Sequence, residues 1–184
     1  MSTELSVWEE LAAIQDKLRD FDKAVLSLDE LIMLVLYAQP DKPIKGKTVF
    51  VEEIFIIYDV FFKKNADFYV QNGEYYASES GPYSDKVVEL ASILRYSGLL
   101  VIENDRKDQD ALYSLTKFGR IHAEELFLSL PEKMQTEIIE YRKNLDELGH
   151  KGILAYVQEK YENYIVKSVV KSKRLKIEWG FDFE

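Results

Sequence analysis

Apolar residues at the start of the chain follow a helical repeat. Between residues 4 and 26 they recur at alternating spacings of four and three, the pattern of contact positions in a coiled coil. These contact positions are Val7, Leu11, Ile14, Leu18, Phe21 and Val25. The pattern predicts an amphipathic helix, for which two roles remain open: packing on its own domain, or pairing with a second copy as a dimerisation helix.

A short apolar segment, residues 31–37, predicts a helix that is buried on several sides. Ser27 or Asp29 is a suitable N-cap for this helix, because the side-chain oxygen of either residue accepts a hydrogen bond from the first turn. Pro40 and Pro43 end the helix, since proline lacks the amide hydrogen that a helix requires.

A second apolar segment, residues 49–58, predicts another helix that is largely buried. This helix contains Glu52 and Glu53, and adjacent residues on a helix point in different directions. We therefore interpret these two acids, like Glu124 and Glu125 further along, as solvated side chains rather than as catalytic pairs.

Residues 65–80 are predicted to form an insertion after this helix. The Asn72 and Gly73 pair lies between aromatic and β-branched residues, a combination that favours a tight turn between two strands. The pattern therefore predicts a β-hairpin within the insertion.

The order of elements in residues 84–130 is the most informative feature of the chain. A helix is predicted from Ser84, its N-cap, to Ser97, and strands over 99–102 and 111–115 follow, separated by a polar turn. The second strand leads through Thr116 into a further helix. Helix, hairpin and helix in this order are typical of the second half of a winged helix-turn-helix, which places one helix in a DNA groove and a hairpin tip on neighbouring phosphates.

The C-terminal part of the chain is predicted to be helical. A helix starting at Pro131 ends at a break over 149–152, further helical segments follow, and residues 177–184 form an acidic aromatic tail. The tail either docks on the body or remains free as a binding motif. The chain thus divides into an N-terminal helix over 1–27, a central domain over 28–130 with an insertion at 65–80, and a C-terminal extension over 131–184.

Several stretches of the central domain together resemble a family of archaeal winged-helix proteins. The stretches are residues 31–38, Pro-Ile-Lys-Gly-Lys-Thr at 43–48, Gly-Pro-Tyr-Ser at 81–84 and Tyr-Ser-Leu-Thr-Lys-Phe-Gly at 113–119. The second half is also similar to the DNA-binding domains of MarR- and PadR-like regulators. The resemblance covers residues 28–130, and it implies a winged-helix fold and a DNA-binding role without indicating a ligand or an operator.

Composition narrows the function classes. The chain has 184 residues, of which 47% are hydrophobic, and no cysteine, which excludes disulfides, thiolate nucleophiles and cysteine-ligated zinc. No apolar run approaches the roughly 20 residues that span a bilayer. The first residues show no signal for export, so we expect a cytoplasmic protein that is not associated with a membrane.

Charge is unevenly distributed. The net charge is −9, the opposite sign to that of a protein whose whole surface binds phosphate. Residues 1–30 contain three basic and eight acidic side chains, whereas residues 160–176 contain six basic and one acidic. The basic cluster in the second range consists of Lys167, Lys171, Lys173, Arg174 and Lys176. This cluster either follows a DNA backbone or neutralises the acidic N-terminal helix.

Three groups of residues are candidate DNA contacts, since polar and basic side chains are needed at both bases and phosphates. The expected recognition helix contributes Tyr83, Ser84, Lys86 and Arg95, the hairpin tip contributes Arg106 and Lys107, and the start of the second helix contributes Lys45, Lys47 and Thr48. Asp85 and Glu89 lie on the same recognition helix and would repel phosphate. The alternatives are an exposed face of a structural helix and solvated loop lysines.

No residue pattern indicates an enzyme. His122 and His150 are the only histidines, and neither has the spacing of a metal ligand. Phosphate-binding loops and dinucleotide fingerprints are also absent from the sequence. We therefore expect no catalytic residues, no metal and no cofactor.

Together the patterns predict a mainly α fold with a small β-hairpin wing, a winged helix-turn-helix with added N- and C-terminal helices. The expected function is that of a dimeric DNA-binding regulator of transcription, whose partners are double-stranded DNA and a second copy of the chain. The alternative is a winged-helix scaffold that binds proteins, for which the C-terminal tail is the candidate contact.

Overall fold

The protein is mainly helical with small sheets, as expected, in a computed structural model that describes residues 24–63 and 68–165. The predicted N-terminal helix with Val7, Leu11, Ile14, Leu18 and Phe21, the basic cluster at 167–176 and the aromatic tail lie outside the described residues. The helices are α1 (Leu28–Tyr37), α2 (Lys47–Ile57), α3 (Asp85–Tyr96), α4 (Lys117–Ser129) and α5 (Glu132–Lys160). The strands are β1 (Ala24–Leu26), β2 (Ile44–Lys45), β3 (Phe68–Val70), β4 (Tyr76–Ala77), β5 (Pro82–Tyr83), β6 (Leu100–Glu103) and β7 (Leu112–Leu115).

Helix α2 forms the centre of the core. Every residue from 49 to 57 is buried, because α5 packs on one side of the helix and α1, α3 and β5 pack on others. Burial of each large apolar side chain contributes about 1.5–3 kcal/mol. The helix ends in a π-helical turn, Tyr58–Phe62, whose Phe62 is fully buried. The predicted buried helix is confirmed.

Helix α1 begins at a capping box. The amide of Ser27 donates to Oε2 of Glu30 at 2.8 Å, so the two residues satisfy polar groups that the helix cannot pair internally. Ser27 is therefore the N-cap, and Asp29 lies within the first turn. Helix α1 packs against α3 and α4.

A three-stranded antiparallel sheet in the order β2–β7–β6 closes one side of the core. Strands β6 and β7 form the predicted hairpin, with Leu100 opposite Leu115 and Glu103 opposite Leu112. The ring of Tyr113 in β7 stacks on Phe50 of α2 at a centroid distance of 4.1 Å. This contact fixes the sheet to the central helix.

The end of the predicted N-terminal helix is wrong. Residues 24–26 form strand β1, which pairs in parallel with β3 and sets Val25 opposite Tyr69. Val25 is 72% exposed, so in this structure it lies neither on a helix nor in a buried seam. The physical reason is that the capping box at Ser27 begins α1 at once, and an N-cap residue requires extended backbone.

The predicted hairpin within the insertion is also wrong. Strand β3 pairs with β1, and β4 pairs with β5. The turn closes on itself: Oδ1 of Asn72 accepts from the amide of Glu74 at 2.9 Å, and Glu74 has a left-handed backbone with φ of 53°. Tyr75 then packs edge-on against Phe55 of α2. These contacts direct the chain across the start of α3.

Helices α4 and α5 complete the core. Thr116 caps α4 by accepting from the amide of Gly119 at 2.9 Å. A Cβ at Gly119 would overlap the carbonyl oxygen of Leu99, so only glycine allows this approach of helix and strand. Helix α5 bends at Gly149, which has φ of 61°, as the predicted break required. No helix among the described residues is long and apolar enough to cross a membrane.

Candidate nucleic-acid interface

The β6–β7 turn, residues 104–110, lies against the start of α2. Two adjoining clefts of about 560 and 520 Å³ separate these elements, and Arg106 and Lys107 line both. The first cleft also contains Lys45, and the second contains Thr48 and His150. The structure therefore brings together two of the three residue groups that the sequence identified as candidate contacts, those of the hairpin and those before α2.

Two salt bridges fasten the turn to the start of α2. Nζ of Lys47 lies 2.6 Å from Oδ2 of Asp108, and Nζ of Lys45 lies 3.6 Å from Oδ1 of Asp110. The hydrogen bond to Asp108 raises the pKa of Lys47 despite the opposing effect of burial. Each of the two lysines therefore faces a carboxylate of the turn.

A third salt bridge joins the same turn to α3. Nη1 of Arg95 lies 2.6 Å from Oδ2 of Asp105. Arg95 is in the last turn of α3, so the bridge ties the end of the helix to the hairpin. All three aspartates of the turn are thus paired with cations from outside it.

Arg106 and Lys107 have exposed side chains. Neither forms a salt bridge with another residue in the part of the chain that the structure describes. Thr48 and Val49, in the first turn of α2, line the second cleft together with them, and the opening amides of a helix have no acceptor within it. Gly46 precedes that turn with φ of 94°, and its amide donates to the carbonyl oxygen of Ala111 at 2.8 Å. A phosphate placed here would meet two free cations and the positive end of a helix.

The start of α3 is covered by the insertion. Ser84 is fully buried, where its hydroxyl accepts from the amide of Val87 at 3.1 Å and donates to the carbonyl oxygen of Gly73. Nζ of Lys86 lies 2.8 Å from Oε1 of Glu74. The N-cap prediction for Ser84 is confirmed, but its expected exposed position is corrected, because the insertion folds over it.

Tyr83 has a similar position in strand β5. It pairs with Tyr76 of β4, and the two rings meet edge-on at a centroid distance of 5.9 Å. Tyr83 is half-buried. Tyr83, Ser84 and Lys86 therefore lie at the start of α3, and Arg95 lies at the opposite end of the helix.

The outward surface of α3 is acidic and apolar. Its exposed side chains include Asp85, Glu89, Ile93 and Tyr96, which recur at spacings of four, four and three and so share one side of the helix. Ile93 is 50% exposed and Tyr96 is 91% exposed. We call these four residues the α3 outer face. It offers carboxylates where a groove-reading helix presents hydrogen-bond donors.

The sequence analysis missed a buried ionic cluster. Glu52 and Glu53 are 1% and 3% exposed, which corrects their interpretation as solvated side chains. Nε of the fully buried Arg142 lies 3.2 Å from Oε2 of Glu53, and Arg142 also pairs with Asp146. The signal was present: both glutamates interrupt an apolar segment that leaves a helix no solvated side.

Burial controls the ionisation of the two glutamates. It raises the pKa of Glu52 to about 8, with a further contribution from the charge of Glu53. Burial also raises the pKa of Glu53 to about 7, although the Arg142 guanidinium opposes this effect. Oε1 of Glu52 has no hydrogen-bond partner among residues 24–63 and 68–165. The two clefts described above are lined by other residues, so we assign the ionic cluster to the core.

Comparison with known proteins gives no relative: no family model, curated protein or solved structure matches this chain.

Proposed function

We propose that this protein binds double-stranded DNA through a winged helix-turn-helix domain. The order α1, β2, α2, α3, β6, β7, with the sheet order β2–β7–β6, supports this interpretation, because it supplies two helices followed by a hairpin that extends from a small sheet. In the proposed complex the β6–β7 turn is the wing. The wing and the start of α2 contact the phosphate backbone.

The observation that carries the proposal is the pairing of the acids in the wing. Asp105, Asp108 and Asp110 would cancel the charge of Arg106 and Lys107 if they were free. Each aspartate is instead bridged to a cation outside the turn. Arg106 and Lys107 therefore remain uncompensated at the tip, and a Debye length of about 8 Å at physiological salt screens them from distant acidic residues.

Affinity in this arrangement is expected to come from phosphate contacts more than from base reading. Phosphate contacts fix position without recognising sequence. The α3 outer face presents Asp85 and Glu89 to any DNA groove that it enters, so its contribution to base recognition is small. Pairing through the N-terminal helix would place two wings on one duplex, which suits a dimeric regulator of transcription in the cytoplasm.

The direct test measures binding of the full chain to a fluorescent duplex of mixed sequence by anisotropy, between about 20 and 200 mM salt. We expect micromolar or tighter binding at low salt, with affinity falling as salt rises. No binding at the lowest salt would contradict the proposal. A second duplex of unrelated sequence separates general phosphate binding from a specific site.

A protein-binding scaffold is the second candidate function, and the α3 outer face is the observation that favours it. Two carboxylates followed by an exposed isoleucine and tyrosine suit a basic, partly apolar protein segment better than a nucleic acid. Absence of DNA binding, together with a partner lost on the substitution Tyr96→Ala, would select this function.

A further inference from the structure

The acids of the α3 outer face are not neutralised by the basic residues of their own helix. Lys86 is bonded to Glu74 of the insertion, and Arg95 is bonded to Asp105 of the wing. Asp85 accepts a hydrogen bond from the uncharged hydroxyl of Tyr76 at 3.0 Å, which supplies no counter-ion. The outer face therefore combines uncompensated negative charge with the exposed side chains of Ile93 and Tyr96.

The described part of the chain ends on the segment that contacts the start of this face. Ile165 forms a parallel β-bridge with Ser78, and the amide of Ser78 donates to the carbonyl oxygen of Tyr164 at 3.2 Å. Ser78 directly follows β4, in which Tyr76 contacts Asp85. Ile165 thus pairs with a residue two positions along the chain from Tyr76, the contact of Asp85 at the start of the outer face.

We propose that the basic segment 166–176 of the same chain docks on the α3 outer face. Its charges match: five lysines and arginines lie in this segment without an acid, and the face begins with two carboxylates. Its apolar residues match as well, since Val169 and Val170 can cover Ile93. A lysine or arginine beside Tyr96 adds a cation–π contact of about 0.5–1 kcal/mol.

The segment is long enough to reach the whole face. The 12 residues of α3 span about 18 Å, at 1.5 Å per residue. Eleven residues measure about 16 Å as a helix or up to about 36 Å when extended. Because the segment is tethered at Ile165, its effective concentration at the face is in the millimolar range, so weak individual contacts suffice.

This inference does not rest on DNA binding. Docking would cover the surface that a groove-reading helix uses and would occupy the strongest basic cluster of the chain. If the protein also binds DNA, the DNA phosphates and the α3 outer face compete for the basic segment. The segment then acts as an internal partner of the outer face.

The absence of cysteine in the natural sequence allows a direct test. We would prepare the full chain with Ser92→Cys and Ser172→Cys, which keep every charge of the face and the segment, join the two thiols with a short bis-maleimide, and identify the product by mass spectrometry. We expect cross-links within one chain. The control pairs Ser172→Cys with Glu132→Cys, an exposed position at the first residue of α5, the opposite end of that helix from Ile165.

Equal yields in the two variants, or no cross-link in the first, would overturn the proposal. A product linking two chains would also overturn it and would identify a second copy as the occupant. Charge dependence of the cross-link between Ser92→Cys and Ser172→Cys provides an independent measurement. Adding Glu89→Lys should lower the cross-linking yield about threefold to fivefold, as expected when an exposed ion pair is replaced by repulsion. Adding Lys167→Glu as well should restore the yield.

Discussion

Arg142 of α5 and Glu53 of α2 form an ion pair inside the core, with Nε and Oε2 separated by 3.2 Å and both side chains buried. Arg142 also donates from Nη2 to the carbonyl oxygen of Lys42 at 3.3 Å. One side chain therefore joins α5, α2 and the loop before β2. This makes α5 part of the same core as the central domain.

Removal of Arg142 should destabilise the protein strongly. Arg142→Ala leaves the buried Glu53 and the partly buried Asp146 without this counter-ion, a loss of about 3–5 kcal/mol in the free energy of unfolding. Urea denaturation followed by circular dichroism measures the effect. The matched control is Lys143→Ala, an exposed neighbour, which should change stability by no more than about 0.5 kcal/mol. Similar effects of the two substitutions would contradict the role of the ion pair.

Glu52 should make the protein less stable as pH rises. Its pKa is about 8 in the folded protein against 4.5 for an ordinary glutamate, so the unfolded state loses this proton first. The stabilising contribution of the neutral carboxyl is complete below pH 4.5 and is lost as pH rises to 8. Glu52→Gln cannot ionise, so its free energy of unfolding should rise relative to that of the natural protein as pH increases across this range. We would measure the free energy of unfolding of both proteins at each pH. A difference between them that stays constant from pH 4.5 to 8 would refute the burial effect.

The wing should determine the salt dependence of DNA binding. Arg106→Ala combined with Lys107→Ala removes two phosphate contacts, which lowers the slope of log affinity against log salt by about 1.8. The loss should be similar for all duplex sequences, since phosphate contacts do not read bases. Anisotropy titrations at several salt concentrations measure the slope. The control, Lys133→Ala with Lys143→Ala, removes two exposed charges from α5 and should leave the slope unchanged. Equal slopes for the natural protein, the control and the variant at Arg106 and Lys107 would show that the β6–β7 turn does not contact DNA.

Gly119→Ala should destabilise the junction between α4 and β6. The added methyl group overlaps the carbonyl oxygen of Leu99, and backbone atoms cannot move aside as a side-chain end can. We expect a loss of about 1–3 kcal/mol, typical of overpacking. Glu125→Ala, at an exposed position of the same helix, is the control for helix propensity. A stabilising effect of Gly119→Ala, as at an open helical site, would show that the contact is looser than described.

Substitution of Ser84 should lower the stability of the protein and leave its affinity for DNA unchanged. Ser84→Ala removes the cap of α3 and the bond to Gly73, at a loss of about 1 kcal/mol. Because the residue is buried, DNA affinity of the folded protein should stay the same. Thermal unfolding and anisotropy distinguish the two effects. A weaker affinity at unchanged stability would place Ser84 at the interface after all.

Local signals in the sequence predicted much of the fold. The N-cap of α1 at Ser27 (one of two candidates), the start of a helix after Thr116 and the break at Gly149 each depend on residues close in the chain. The strand at Val25 and the path of the insertion after Asn72 depend on distant partners, and short-range propensity gave the wrong result for both.

The candidate site could be predicted only in part, for the same reason. Arg106 and Lys107 were identified from their position in a polar turn. The neutralisation of the aspartates around them depends on Lys45, Lys47 and Arg95, which belong to other elements. No spacing rule connects these pairs, because tertiary packing brings them together.

The three salt bridges of the wing also determine the entropy of any binding event. They hold the β6–β7 turn from both sides in the free protein, between α3 and the start of α2. A loop that orders only on contact loses conformational freedom at that moment, and this loss weakens the complex. Here the ordering accompanies folding. The wing is preorganised, so contacts made by Arg106 and Lys107 are opposed by little beyond the immobilisation of their own side chains.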